Sequence, residues 1–396
     1  MSDWRIRLHR TWRKHRPELQ ALTSGELPRW LAPGAPGAPT SVPVFVFHDV
    51  APAPFEASLR FLADNGYRTL TADELADLGG RAPDGERLVV LTFDDALWSV
   101  RAVAFPLLRE YGFDAVLFVV PGVIGEEEAP WPDLADVHAG RASLDDLRAR
   151  SGERPFCTWS ELAEMSASAV VDVQSHSLSH QRVPISPRVL GFVHPGLDFF
   201  HGNLDLPVST LDDEGERIPR PGAPIFASAS RLSGERRFLV RPELVRALVD
   251  RVASRGADAF FASRRWHREL RAELREWPLQ ERGRFESDRE REEAVRREIA
   301  GARRTLERRL GDVRVRHLAY PWHTGGSMAD RLAAEENTRS VHYGPSIASD
   351  GSSPPLRVRR LPGSYLPRLP GEGRESFAAF LRDRAGRIRW PFGGQP

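Results

Sequence analysis

LVVLTFDD, the stretch from Leu88 to Asp95, sets an unbroken apolar run directly in front of two adjacent carboxylates. A short continuous apolar run rich in valine and leucine reads as a strand buried on both faces, the kind found in parallel sheets. Acidic residues at its end then sit where such a sheet opens to solvent.

Outward from this stretch, strand and helix alternate. Trp98 to Tyr111 reads as a helix stopped by Gly112, and Ala115 to Val120 as the next strand. Upstream, Val42 to Phe47 is a strand and Phe55 to Leu62 an amphipathic helix, while Thr71 and Glu74 stand at capping-box spacing before Leu75 and Leu78. The same spacing recurs at Thr158 and Glu161 ahead of the strand Val170 to Gln174, and at Ser287 and Glu290 ahead of a long helix. On that helix Val295, Ile299, Ala302, Leu306 and Leu310 recur at helical spacing before Gly311. Strands are expected over Val313 to Tyr320, Ser340 to Tyr343 and Leu356 to Leu361, with a helix over Ala329 to Glu336. Such alternation implies an α/β fold with a parallel sheet, open or closed into a barrel. No internal repeat is detectable.

Two regions break the rhythm. Residues 1–41 form a basic N-terminal segment, with Arg5, Arg7, Arg10, Arg13, Lys14 and Arg16, followed by the linker LAPGAPGAPTS from Leu31 to Ser41. The catalytic region is expected over 42–396, with an insertion at about 182–284 that contains a helical piece from Pro242 to Val252. Coming directly after polar residues at a strand end, this insertion either covers the site or decorates the surface.

Composition narrows the partners. Of 396 residues, 41% are hydrophobic, and 56 basic residues nearly balance 55 acidic ones, so no global charge calls for nucleic acid. The one cysteine, Cys157, excludes an internal disulfide framework and a cysteine-rich zinc site. No apolar region follows the N-terminal arginines as in a secretory signal, and no run reaches the roughly 18 apolar residues of a membrane span. A cytoplasmic location is therefore expected. Trp4, Ile6, Leu8 and Trp12 among the arginines offer a peripheral contact with an anionic membrane surface.

Three polar clusters follow predicted strands: Thr92-Phe93-Asp94-Asp95, Ser175-His176-Ser177-Leu178-Ser179-His180 and Ala319-Tyr320-Pro321-Trp322-His323. The C-terminal ends of parallel strands share one face, so clusters distant in sequence converge there. His176 and His180, four residues apart, are read as two imidazoles on one side of a helical turn. A carboxylate from Asp94 or Asp95 would complete a two-histidine, one-carboxylate site with positions open to water and substrate. Taken singly, the histidines read as hydrogen-bonded strand-end residues and the aspartates as a helix N-cap; their joint placement favours a metal.

With these motifs the chain resembles the polysaccharide deacetylase family, the NodB-homology group of carbohydrate esterase family four. The matching residues are Thr92 to Asp95, His176 to His180 and Tyr320-Pro321-Trp322. His48 and Asp49 in VFVFHDV look like the entry strand of the branch acting on poly-N-acetylglucosamine. The resemblance implies a distorted (β/α) barrel and metal-dependent removal of an N-acyl group, acetyl in this family, from an amino sugar, glycan precursor or polysaccharide. It implies Asp94 as general base, Asp95, His176 and His180 as metal ligands, and Trp322, with Tyr320, at the oxyanion and substrate position. Zinc is the default ion, and cobalt, nickel or iron suit the same ligands. Two family features are absent: Ala319 stands where many relatives carry an arginine, and no late Leu-x-His motif follows Trp322. His48 is expected as general acid in its place, with His323 and His342 as substitutes and Arg359 and Arg360 as partners for the base. Two other readings stay open, a barrel that binds carbohydrate without turnover and a hydrolase of non-sugar linear or cyclic amides. Trp98, Trp131 and Trp159 read as core residues, Glu126 to Glu128 as a solvated run, and His138, His194, His201, His267 and His317 receive no role.

Overall fold

The computed structural model describes residues 42, 44–80, 82–126, 131–153, 155–197, 220–336 and 338–341. The N-terminal segment, Glu127, Glu128, His201, His342, the expected strand at Leu356 to Leu361, Arg359 and Arg360 lie outside them, as does the side chain of His323.

Apolar runs become strands where the sequence places them. β1 (Val44–Phe47), β2 (Arg68–Thr69), β3 (Leu88–Asp94), β4 (Ala115–Val119), β5 (Val171–Ser175), β10 (His317–Ala319) and β11 (Arg339–Val341) form one parallel sheet, ordered β1-β3-β4-β5-β10-β11 with β2 beside β3. This is a half-barrel of parallel strands with helices packed on it, the α/β architecture expected. Every residue of β3 is buried, as befits a strand covered on both faces. Beneath its C-terminal end, Phe93 stacks on Phe47 at 5.2 Å, and Phe55 closes edge-on to both at 5.4 and 5.7 Å. Each buried phenylalanine of this kind contributes about 1.5–3 kcal/mol, so the trio makes a firm base under the strand ends.

The helices on the sheet are α1 (Pro52–Asp64), α2 (Ala72–Asp77), α3 (Phe105–Tyr111), α4 (Leu134–His138), α5 (Leu144–Glu153) and α6 (Trp159–Ala167). The capping boxes at Thr71/Glu74, Thr158/Glu161 and Ser287/Glu290 all form. The helix expected from Trp98 begins there, widens into a π-helical turn over Val100–Ala104 and continues as α3 to its left-handed Gly112 cap. The expected strand Val313 to Tyr320 shortens to β10, which meets β5 at a single pair, Leu318 and Ser175. Just before β10 a side chain replaces the ladder, because Gln174 Oε1 accepts from the peptide N–H groups of Arg316 and His317 at 2.9 Å each.

Residues after the second cluster fold as paired strands that the sequence pattern did not show and as helices that include the one expected from Pro242 to Val252. β6 (Arg182–Phe192) runs antiparallel to β7 (Pro224–Ser230), and β8 (Phe238–Val240) to β9 (Gly283–Phe285). α7 (Pro242–Ala253), α8 (Ala257–Ala262) and α9 (Trp266–Arg275) pack on them around Phe192, Phe226, Leu244, Leu248 and Phe260. Pro184 and Pro187 hide the alternation of β6, and its register slips between Pro184 and Val189. The chain returns through α10 (Asp288–Leu310) and, after β10, α11 (Ser327–Glu335). A buried ion pair, Arg231 to Glu286 at 2.9 Å, fastens the end of β7 to the residues leading into α10.

Candidate metal centre

The three clusters converge at one end of the sheet. Asp94 closes β3 and Asp95 follows it with φ 71°, a left-handed conformation that turns the chain sharply. His176 leaves β5, its peptide N–H donating to Val119 O at 2.8 Å. The two histidines do not share a helical turn, as their spacing suggested. They lie on a bent loop in which Ser177 and His180 adopt φ 67° and 52°, and the His180 peptide N–H donates to Ser177 Oγ at 3.1 Å. The bend brings their rings within 4.9 Å. Left-handed conformations at non-glycine residues cost about 1–3 kcal/mol each and collect where surrounding structure enforces them for function.

Asp95, His176 and His180 present ligand atoms that all lie within 4.8 Å of one another, and all three residues are buried. Asp95 Oδ1 stands 3.6 Å from His176 Nε2 and 3.5 Å from His180 Nε2. Ligands at about 2.1 Å around a tetrahedral ion sit about 3.4 Å from each other, so this spacing fits a shared divalent cation. The tautomer of His176 also fits. Its Nδ1–H donates to Ala319 O at 2.9 Å, since a carbonyl only accepts, and in the neutral ring this leaves the Nε2 lone pair on the side of Asp95. Ala319 thus serves through its backbone.

Asp94 lies beside this triad, its Oδ2 3.9 Å from His176 Nε2 and 4.0 Å from His48 Nε2. Its other oxygen is buried without a hydrogen bond among the described residues. Burial, and then the neighbouring Asp95 carboxylate, hold the Asp94 carboxyl well above the usual carboxylate range. Nearby positive charge would favour its ionised form. His48, at the end of β1, keeps a partly exposed side chain, 27%, so it faces both the base and the solvent side of the site. The peptide N–H of Val50 donates to Ser99 Oγ at 3.1 Å and ties the His48 turn to the chain after Asp95.

Trp322 borders the triad, its ring 4.6 Å from that of His180, with φ 60° in the turn Pro321–His323. Its indole N–H is buried without an acceptor among the described residues. Arg182 of β6 lies 5.1 Å over the same indole while its Nε and Nη2 donate to Ser228 Oγ and Ser228 O. The segment after the second cluster therefore reaches the site and supports the third. The Gly326 peptide N–H donates to Leu232 O, and a Cβ on Gly326 would come within 2.7 Å of Gly234 N.

Other expected residues fall elsewhere. Tyr320, expected with Trp322 at the substrate position, is instead packed in the core with Leu232, Val295 and Ile299, and its hydroxyl donates to Asp330 Oδ1 at 2.5 Å. His317 is buried against Asp73 at 2.9 Å. Trp98 is core, Trp159 packs under Arg309, and Glu126 pairs with Arg309. A cleft of about 450 Å³ lined by Phe105, Arg109, Asp133, His138 and Glu164 shares no residue with the three clusters.

Residues 81–189 match the family model described as polysaccharide deacetylase. YxkH of Bacillus subtilis (strain 168), named as a polysaccharide deacetylase, is 32% identical over 98 residues, 22% of this chain and 35% of that protein. The poly-beta-1,6-N-acetyl-D-glucosamine N-deacetylase of Escherichia coli (strain K12) is 29% identical over 135 residues, 33% of this chain and 18% of that one. The chain thus spans only a minor part of these curated relatives. Among solved structures, a de-N-acetylase from Aggregatibacter actinomycetemcomitans is 16% identical with a TM-score of 0.46, covering 86% of this chain and 98% of that one. The BpsB deacetylase domain from Bordetella bronchiseptica is 18% identical with a TM-score of 0.45, covering 83% and 97%.

Proposed function

We propose that this chain is a metal-dependent hydrolase that removes an N-acetyl group from an amino sugar within a glycan or glycan precursor. The observation that carries the reading is the meeting of Asp95, His176 and His180 within one ligand sphere beside a separate buried carboxylate, Asp94. The family match over 81–189 supports N-deacetylation of a polysaccharide as the reaction class.

Asp95, His176 and His180 would hold the ion, zinc by default, with cobalt, nickel or iron as alternatives. When bound, such an ion supplies Lewis acidity toward water and the acyl carbonyl. This chain's own residues do the rest. Asp94 takes the proton of the attacking water and His48, 4.0 Å from it on the solvent side, gives a proton to the leaving amine. The Trp322 peptide N–H is the protein donor assigned to the oxyanion of the tetrahedral intermediate. The indole of Trp322, held under Arg182, offers a flat face to a sugar ring.

Acetate release from a panel of N-acetylated sugars, oligosaccharides and lipid-linked precursors, before and after chelation, tests this. The expected result is release that stops on chelation and returns with zinc or cobalt. Metal bound in stoichiometric amount with no acyl release from any sugar would contradict the deacetylase reading and favour carbohydrate binding without turnover. Release only from non-sugar amides would move the reading to that substrate class.

A further inference from the structure

Helix α10 buries Val295, Ile299, Ala302 and Leu306 and, among them, one charged side chain, Glu298, which is 5% exposed. A buried carboxylate costs several kcal/mol unless its oxygens are hydrogen-bonded. Glu298 makes no ion pair among the described residues, although α10 is rich in arginine. Both of its oxygens go to one residue of the histidine loop. The Ser179 peptide N–H donates to Oε2 at 3.0 Å, and the Ser179 hydroxyl donates to Oε1 at 2.5 Å.

The main chain of the same helix residue takes part. The Leu178 peptide N–H donates to Glu298 O at 2.9 Å, while Leu178 O accepts from the Gly122 peptide N–H at 2.8 Å. The fit is closed to a larger side chain at Gly122 and tight at Gly301. A Cβ on Gly122 would lie 2.8 Å from Leu178 O, and one on Gly301 would lie 3.1 Å from Leu178 Cδ2. Leu178 and Ser179 are thus held from both sides, between the turn after β4 and the middle of α10.

From this geometry we propose that Glu298 is the positioning residue of the histidine pair, fixing Ser179 directly ahead of His180 so that His176 and His180 face one ion. The proposal rests on the metal-site reading above and adds a residue outside the three motifs. Its physical basis is the strain of the loop. Ser177 and His180 both hold left-handed conformations, and a loop released from its anchor relaxes away from them. Both hydrogen bonds to Glu298 are made by Ser179, the residue directly before His180, so they oppose that relaxation next to a ligand.

Cobalt(II) titration of the full chain, followed by visible absorption and by competition with a chelator, tests this in the wild type, Glu298→Gln, Glu298→Ala and Ser179→Ala. Glu298→Gln keeps an acceptor for the Ser179 N–H and exchanges roles with the hydroxyl, so its Kd should stay within about threefold of the wild type. Glu298→Ala should weaken binding about 10–100-fold and alter the cobalt spectrum. Ser179→Ala, losing one bond of two, should weaken it about threefold to tenfold. A folded Glu298→Ala protein with wild-type Kd and spectrum overturns the proposal. Should that variant prove insoluble, an unchanged Kd in Ser179→Ala overturns it. A loss in Glu298→Gln as large as in Glu298→Ala also overturns it, because charge and not hydrogen-bond geometry would then matter. Failure of the wild type itself to bind cobalt is a distinct outcome that removes the metal-site reading and this proposal with it.

Discussion

The strand ends of the parallel sheet and the segment from β6 to β9 are built on opposite terms. At the strand ends Asp95, Ser177, His180 and Trp322 hold left-handed backbone conformations, and Asp94, Asp95, His176 and His180 are buried polar groups gathered together. Among the described residues from Arg182 to Phe285, no residue other than glycine has positive φ, and apart from Arg231, paired with Glu286, the interior is mainly phenylalanine, leucine and valine. Strain and buried polar groups gather at the candidate metal centre, and the neighbouring segment is packed mainly with apolar side chains. At its root, through Arg182 over Trp322 and Leu232 beside Gly326 and Tyr320, the second region touches the first.

The largest effect expected from this contrast is at Asp94. Asp94→Asn should lower acetate release about 10²–10⁴-fold, measured at saturating metal. The same change should stabilise the metal-free protein. Because burial raises the folded pKa of Asp94 above its unfolded value, its contribution to stability is full below the usual carboxylate pKa and is lost as pH rises through the folded value. Removing the ionisable group should therefore raise the melting temperature of the metal-free protein at pH 7, with the difference narrowing toward pH 4. A metal-free variant less stable than the wild type at neutral pH would show that the site is not built against its own stability.

Leu248→Ala acts on the other side of the comparison. Leu248 is fully buried among the helices of the second region, and its truncation should cost about 2–5 kcal/mol in urea unfolding. Cobalt affinity of the folded variant should not change. A parallel loss of affinity would mean that the two regions are not separable in this way.

The smallest effect lies behind the sheet. Burial raises the Asp73 pKa, but hydrogen bonds from His317 and Arg316 outweigh it and hold the carboxyl below its ordinary range. Such a group adds stability above its unfolded pKa that is lost as pH falls through the folded value. Asp73→Asn should thus lower the melting temperature slightly at pH 7 and converge with the wild type in acid. A difference that grows as pH falls would contradict the pairing.

How far the sequence revealed this arrangement follows the range of the interactions. Buried strands such as Leu88–Asp94 and the three capping boxes are local patterns, and they appear where the residues predict them. Asp94, Asp95, His176 and His180 were legible as chemistry because each pair ends a strand, and parallel strand ends share one face. The conformation joining His176 to His180 was not legible, since spacing alone does not distinguish a helical turn from a bent loop. The β6–β7 pairing was hidden because prolines interrupt β6 and its partner lies far along the chain. Glu298 was hidden for another reason. Its place between Val295 and Ile299 on the apolar stripe of α10 marks it as inward-facing, but only its contact with Ser179, 119 residues away, shows what it holds. Tyr320 shows the reverse error, a motif residue whose ring belongs to the core.

The central claim is that two imidazoles and one carboxylate from separate strand ends bind a single ion. X-ray absorption spectroscopy of the cobalt-loaded chain measures this directly, in the wild type and in His180→Ala. The account predicts a first shell of nitrogen and oxygen at about 2.0–2.2 Å with the outer-shell pattern of two imidazoles, falling to one in His180→Ala. A bound ion showing no imidazole scattering, or the same pattern in His180→Ala as in the wild type, would contradict it.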